Sequence, residues 1–164
     1  MTITPTPAES LAQSVADLRL AVAGEVLVAG DTGYEQHSQG FNLALVQRPA
    51  VVVVAAEAAD VARAVRFAAD HDLPLAVQAT GHGTGRVADG ALLLVTSRLT
   101  GVEIDPQART ARIEAGAKFS AVLPAAQEHG LAPLLGSTTD VGAVGYTLGG
   151  GFGWLGRRYG LCSD

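Results

Sequence analysis

The stretch Val77–Arg86, VQATGHGTGR, sets one imidazole among residues with almost no side chains. His82 is flanked by Gly81 and Gly83, with Thr80 and Thr84 one step further out and Gly85 beyond. It stands at the exit of an apolar run, so its immediate neighbours leave the ring unshielded and free to reach a ligand. No carboxylate lies in the stretch and no second ligand stands at i+2 or i+4, which argues against a metal role. Ser137 and Asp140 are not tied to it by spacing, and no Ser-His-Asp triad is read. The other histidines are blander. His71 and His129 each end a predicted helix and suit the negative end of its dipole. His37 lies in a polar loop with no evident partner.

The second concentration of glycine is GSTTDVGAVGYTLGGGFGWLG, from Gly136 to Gly156. A loop without side chains lets a ligand touch backbone, where consecutive N–H groups can converge on an anion. Diphosphate is the natural candidate, because it needs many donors in a small space. The competing reading is a pair of tight turns that need positive φ. Two loops of this density favour binding. The string Gly151-Phe-Gly153-Trp-Leu-Gly156 matches GxGxxG but fails as a dinucleotide fingerprint. It does not follow a first strand, and no acidic residue can answer it some 20 positions on. A nicotinamide-type Rossmann domain is therefore set aside. No Gly-Lys-Ser/Thr follows any glycine run, which excludes a Walker loop.

The elements that must position these loops are legible from periodicity. AESLAQSVADLRLAVA carries Leu11, Val15, Leu18 and Leu20 at helical spacing, and GDTGYEQHSQGFN reads as loop. PAVVVVA is a buried strand, EAADVARAVRFAADH a helix with Val61, Val65, Ala68 and Ala69 on one face, and LPLAVQA the next strand. This β-α-β unit runs directly into the His82 loop. GVEID and TARIEAG predict a hairpin around PQAR. KFSAVLPAAQEHG predicts a helix, with Pro124 near its first turn or kinking it, and LAPLLG is the apolar run that empties into the second glycine stretch.

The totals bound the class. The 164 residues suffice for one domain with a real core, and 48% apolar against 16% charged residues describes a globular chain. A net charge of −5 and a lone basic pair, Arg157–Arg158, in the glycine region argue against a nucleic-acid partner. The single Cys162 excludes an internal disulfide framework and a cysteine-based zinc site. No apolar run approaches a membrane span, and the first ten residues lack the charged and apolar regions of a secretory signal. No membrane partner is expected, and a cytoplasmic location is.

Taken in order, RPAVVVVAAEAADVARAVRFAADHDLPLAVQATGHGTG, ALLLVTSRL and GSTTDVGAVGYTLGGGFGWLGRRYGLCSD resemble the FAD-binding (PCMH-type) domain of the vanillyl-alcohol oxidase superfamily. The nearest branch is the berberine-bridge-enzyme-like oxidoreductases. The resemblance covers Phe41 to Asp164 and leaves 1–40 as an N-terminal helix and loop extension. It implies an α+β fold of two small subdomains that clamp FAD, with a separate substrate domain over the flavin ring.

By that resemblance the first loop holds cofactor with Gly81, Gly83, Thr84 and Gly85. The second does so with Ser137, Thr138, Thr139, Gly142, Gly145, Tyr146, Gly149, Gly150 and Phe152. His82 occupies the place of the family's histidine that bonds the flavin's 8α-methyl carbon. The implied activity is an FAD-dependent oxidoreductase, taking a hydride from an alcohol- or amine-type carbon and passing electrons to dioxygen or another acceptor. Its partners are FAD and, in a full-length protein, a small-molecule substrate. No catalytic residue is assigned, because the family's base and substrate pocket lie in a part not seen here.

Two departures stand out. Thr80 replaces the family's usual glycine, and Thr138 stands where some members add a cysteinyl link, so a single tether at most is expected. Cys162 falls outside that position and reads as a small buried residue. The chain stops at GLCSD, before the flavin domain's closing strands, and is read as truncated at its C-terminal end. The alternative is a non-catalytic flavin-binding fragment or inert remnant of such an enzyme.

Overall fold

Four consecutive β-branched residues, Val51–Val54, form a strand fully enclosed by protein. A computed structural model describes residues 7–164. The first six residues of the expected N-terminal extension, and with them most of the segment read for a secretory signal, lie outside the described residues. The elements in chain order are α1 (Pro7–Ala21), β1 (Glu25–Leu27), α2 (Tyr34–Ser38), β2 (Val51–Val54), α3 (Ala58–Asp70) and β3 (Leu75–Gln78). They continue as β4 (Leu92–Val95), β5 (Val102–Asp105), β6 (Thr110–Ile113), α4 (Phe119–Gln127), α5 (Ala143–Leu148) and α6 (Gly156–Tyr159). The chain divides into two compact units.

The first unit holds the described residues up to Gln39, with Leu43–Gln78 and Arg86–Val95. Its sheet runs β1-β2-β4-β3, with β2, β4 and β3 parallel and β1 antiparallel. Val51 pairs with Leu92 and Val54 with Val95, so two uninterrupted apolar runs lie side by side. Alternation sends Val52, Val54, Leu93 and Val95 to a core shared with Leu27, Tyr34, Ala88 and Ala91. Each such side chain, taken out of water, contributes roughly 1.5–3 kcal/mol before entropy is charged against it. The strand expected at LPLAVQA is the edge β3, where Val77 is 63% exposed.

Three expectations change here. In α1 the packed face is Val15 and Leu18, continued by Val22 just past its end, while Leu20 is 88% exposed, because i and i+3 share a side of the helix and i+5 does not. In α3 the buried set is Asp60, Ala64, Phe67 and Ala68; Val65 and Ala69 face outward. The GDTGYEQHSQGFN segment is not all loop. Its middle turns into α2, anchored by the buried Tyr34, whose hydroxyl donates to Pro49 O at 2.6 Å.

The second unit holds Gly40–Asn42, Ala79–Gly85 and Thr96–Asp164. The predicted hairpin is present as β5 and β6, antiparallel, with Val102 opposite Ile113. Asp105 Oδ1 closes its turn by accepting from the N–H groups of Gln107 and Ala108. Helix α4 packs on β5, and Phe119, Val122 and Ala143 form a core flanked by Val102, Ile113, Leu135 and Tyr146. Pro124 lies inside α4, beyond its first turn.

LAPLLG forms no strand. Pro133 supplies no donor, and Leu135 N–H turns back to Pro133 O at 3.0 Å, which fits no ladder. Among the described residues no helix is long and apolar enough to cross a membrane, and no group of three or more His, Cys, Asp or Glu could hold a metal ion.

Candidate functional site

All fourteen residues expected to hold cofactor fall in the second unit. The unit gathers the short His82 loop from between β3 and β4 and joins it to the long glycine stretch.

Gly81 sets the first loop. It has φ +71°, and a Cβ there would lie 2.6 Å from the Cα of Gly40. Its bareness therefore admits another piece of chain, Gly40–Asn42. That approach brings Phe41 over His82, with ring centroids 3.8 Å apart and planes 14° from parallel. The histidine is not left unshielded by its glycine neighbours, as local sequence suggested. One face is covered by Phe41, and Nδ1 lies 2.9 Å from Thr80 Oγ1. Thr84 Oγ1 donates to Gly81 O at 3.1 Å and ties the turn shut.

The second stretch is not one loop. It runs beside the start of α4, with Phe119 N–H donating to Val141 O and Ser120 N–H to Thr139 O. It then forms α5 from Gly142 onward. Gly142 lies against the first loop: a Cβ there would stand 3.4 Å from Ala79 Cβ and 3.7 Å from Thr80 Oγ1. The two glycine segments thus meet at this point.

Tyr146, on α5, meets Phe119 edge-on at 5.4 Å. Glycine surrounds the rest of its ring. A Cβ at Gly136 would come within 3.2 Å of it, and one at Gly151 within 2.6 Å. Gly153 sits beside both the Tyr146 hydroxyl and Leu135 O. The hydroxyl is buried and makes no hydrogen bond among the described residues. Burial, helped by Cys162, raises its pKa above the ordinary 10.0. Cys162 itself is half-buried, with Sγ 3.2 Å from Thr147 Oγ1.

The glycines therefore serve two purposes. Gly81, Gly136, Gly142, Gly151 and Gly153 face packed protein. Gly83, Gly85, Gly145 and Gly150 have no atom within 4 Å of where a Cβ would be, so bare backbone faces open space. Both loops contribute such positions, and this open, side-chain-free surface fits an extended diphosphate cofactor.

Among the remaining expected residues, Ser137 and Thr138 are exposed, and Thr138 Oγ1 accepts from Asp140 N–H at 3.4 Å. Gly149 N–H caps α5 on Gly145 O, and Phe152 is 74% exposed. A separate apolar hollow of about 570 Å³ is lined by Ile104, Val122, Leu131, Pro133 and Tyr159, and none of the fourteen residues lines it.

Sequence reading missed two residues of consequence. Phe41 lies 41 positions before His82, and nothing local announces their contact. Asp60, in the first unit, is fully buried and accepts from the N–H groups of Ala23, Gly24 and Ala56 at 2.9–3.0 Å. Burial alone would raise its pKa, but these donors outweigh it and the net shift is downward. The available signal was an acid on the same helix face as Ala64, Phe67 and Ala68.

A family model described as an FAD binding domain matches residues 49–164. The chain belongs to the FAD binding domain family. FAD, the cofactor expected from sequence, is the one that family is described as binding. (R)-6-Hydroxynicotine oxidase of Paenarthrobacter nicotinovorans is 33% identical over 147 residues, 88% of this chain and 32% of that one.

The BBE-like 1 protein of Physcomitrella patens superposes with a TM-score of 0.81 over 92% of this chain and 34% of its own; at 24% identity this is a likeness of fold. Glucooligosaccharide oxidase from Acremonium strictum, described with a 6-S-cysteinyl, 8α-N1-histidyl FAD, gives 0.79 at 26% identity, over 92% of this chain and 33% of its own. The expected α+β, PCMH-type architecture is the one found. The chain spans about a third of the length of these relatives.

Proposed function

We propose that the second unit is the diphosphate- and ribityl-holding part of an FAD-linked oxidoreductase, and that residues 41–164 act as its FAD-binding domain. The observation that carries this is the open backbone at Gly83 and Gly85 in one loop and at Gly145 and Gly150 in the other, within one compact unit. In this reading Gly83, Gly85 and Gly145 offer backbone donors, Gly149 and Gly150, whose N–H groups bond back into α5, let the cofactor approach closely, and Ser137, Thr138 and Thr139 add hydroxyls. Gly81, Gly142 and Tyr146 brace the two loops against each other and against α4. Phe152, largely exposed, supplies apolar surface to the bound cofactor.

His82 is the proposed attachment point for the flavin. Thr138 at the position of the second link makes the tether single. FAD held here would supply a two-electron acceptor for a hydride leaving an alcohol- or amine-type carbon, with dioxygen or another acceptor taking the electrons onward. The protein's part is to bind, orient and shield.

The test is to add FAD to the purified chain and record its visible spectrum. A structured, shifted flavin band that survives gel filtration is expected. A chain folded by circular dichroism that leaves the spectrum of free flavin unchanged would reject the reading. Yellow colour retained after denaturation identifies the covalent tether, and its loss in His82→Ala places the tether there.

A further inference from the structure

We propose that Gln78 is a positioning residue for the Phe41–His82 pair. Its buried amide ties the end of α2, from which Phe41 departs, to the end of β3, from which the His82 loop departs. The ligand served by the pair rests on the flavin reading; the positioning does not.

Gln78 closes β3 and is only 8% exposed. Its Nε2 donates to His37 O at 3.4 Å and to Gln39 O at 3.3 Å. Its Oε1 accepts from Gln47 Nε2 at 2.9 Å. Gln47, also buried, donates to Ser38 O at 2.9 Å and accepts the Ala88 N–H at 3.1 Å. Successive carbonyls from His37 to Gln39 thus receive N–H groups from two coupled amides. These are carbonyls that a helix end leaves without intrahelical partners. An amide suits the place because it offers two donors and an acceptor together. A carboxylate would set lone pairs against lone pairs, and an apolar chain would leave buried carbonyls unpaired.

The position of this cross-link gives it a purpose. Phe41 follows Gln39 by two residues, and His82 follows Gln78 by four. In the second unit Phe41 stacks on His82 at 3.8 Å, and a Cβ at Gly81 would lie 2.6 Å from Gly40 Cα. Burial does not hold the rings: Phe41 is 65% exposed and His82 half-buried. An exposed aromatic pair contributes less than ordering several backbone residues costs, so the stack cannot register both segments by itself. Fixing their two departure points against each other does so.

The experiment reads the His82 ring C–H signals in a proton–carbon NMR correlation on the ¹³C-labelled chain at alkaline pH, where imidazoles are neutral. The signals are assigned by their loss in His82→Gln. The ring-current displacement is their difference from Phe41→Leu, which has no aromatic ring to stack. An upfield displacement is expected in the unaltered chain. Gln78→Met, similar in length but without the amide, should lose at least half of it. Gln78→Glu, which keeps an oxygen for Gln47 and lacks the donors, should do the same. Val53→Ala deletes core on the other face of the sheet; it should lower the unfolding temperature and keep the displacement.

An unaltered chain without the displacement overturns the proposal, as does a displacement kept in both Gln78 variants or lost equally in Val53→Ala. If neither Gln78 variant folds, the residue supports the fold and not the pair, and the proposal falls. FAD retained on a desalting column should drop several-fold in Gln78→Met and not in Val53→Ala. Undiminished retention with the displacement lost would cut the pair off from the flavin. A displacement that depends on Gln78 in a chain that takes up no FAD sustains the positioning role and defeats the flavin reading; FAD uptake with the displacement kept in Gln78→Met does the reverse.

Discussion

Phe41 lies flat on His82, 3.8 Å between ring centres, and that stack exists because Gly81 has no side chain to keep the Gly40–Asn42 segment away. Phe41→Ala should therefore cost little in stability, about 0.5 kcal/mol, since the ring is 65% exposed and an aromatic pair contributes at the low end of its range there. It should cost more in flavin retention, because His82 loses one of two constraints. Thermal unfolding and FAD retained on a desalting column measure the two effects separately. An unchanged flavin content would mean that the stack does not position the ring for its ligand.

Two glycine substitutions should move in opposite directions. Gly145 sits in α5 with open space at its Cβ position, so Gly145→Ala should stabilise the fold by up to about 1 kcal/mol through helix propensity. The same methyl should lower FAD affinity, roughly tenfold, by standing where the cofactor approaches. Gly151 has φ +65° and a crowded Cβ position, so Gly151→Ala should destabilise by about 2 kcal/mol or more. Urea titration and FAD titration on both variants provide the check; equal effects on folding would dissolve the distinction between packed and open glycines.

Removing the Tyr146 hydroxyl should not harm the free chain. Tyr146→Phe deletes a buried group that has no partner, and the change should be neutral or stabilising by about 1 kcal/mol. Tyr146 has a folded pKa raised above 10.0, so its contribution is complete below pH 10 and is lost as pH rises towards and through the folded value. The variant should flatten the alkaline arm of a stability–pH profile, leaving the portion due to Tyr34, also raised by burial. A steeper alkaline arm in Tyr146→Phe would contradict this.

Asp60 governs the opposite end of the pH scale. Its folded pKa is lowered from 3.8, so its stabilisation is full above that value and fades as pH falls through the lowered one. Asp60→Ala would strand three backbone donors and the nearby Arg63 guanidinium, which lies 3.1 Å from the carboxylate. A loss of about 3 kcal/mol or more at neutral pH is expected. The difference between variant and parent should shrink in acid, as urea midpoints across pH would reveal; a constant difference would mean the carboxylate's charge is irrelevant.

Much of the frame was legible. Four valines in a row announced a strand because burial on both faces removes alternation; LPLAVQA did so as a short apolar run although β3 lies at the sheet edge, and PQAR between alternating runs announced a hairpin. The helix faces were misassigned where alanine is abundant, since alanine tolerates either side and only Phe67 and Asp60 break the symmetry in α3. LAPLLG looked like a strand by hydropathy, yet its proline and the turn at Leu135 gave it no ladder to join.

The sequence by itself determined the unit β2-α3-β3, the hairpin and α4, the placing of histidine and glycine at element exits, and the family resemblance, because these depend on residues near one another in the chain. Tertiary structure alone decided that Phe41 covers His82, that Thr80 takes Nδ1, and that some glycines face protein while others face open space. A missing Cβ reads the same in a sequence whichever neighbour the fold later brings. Only contacts closed across dozens of residues tell a packed gap from a vacant one.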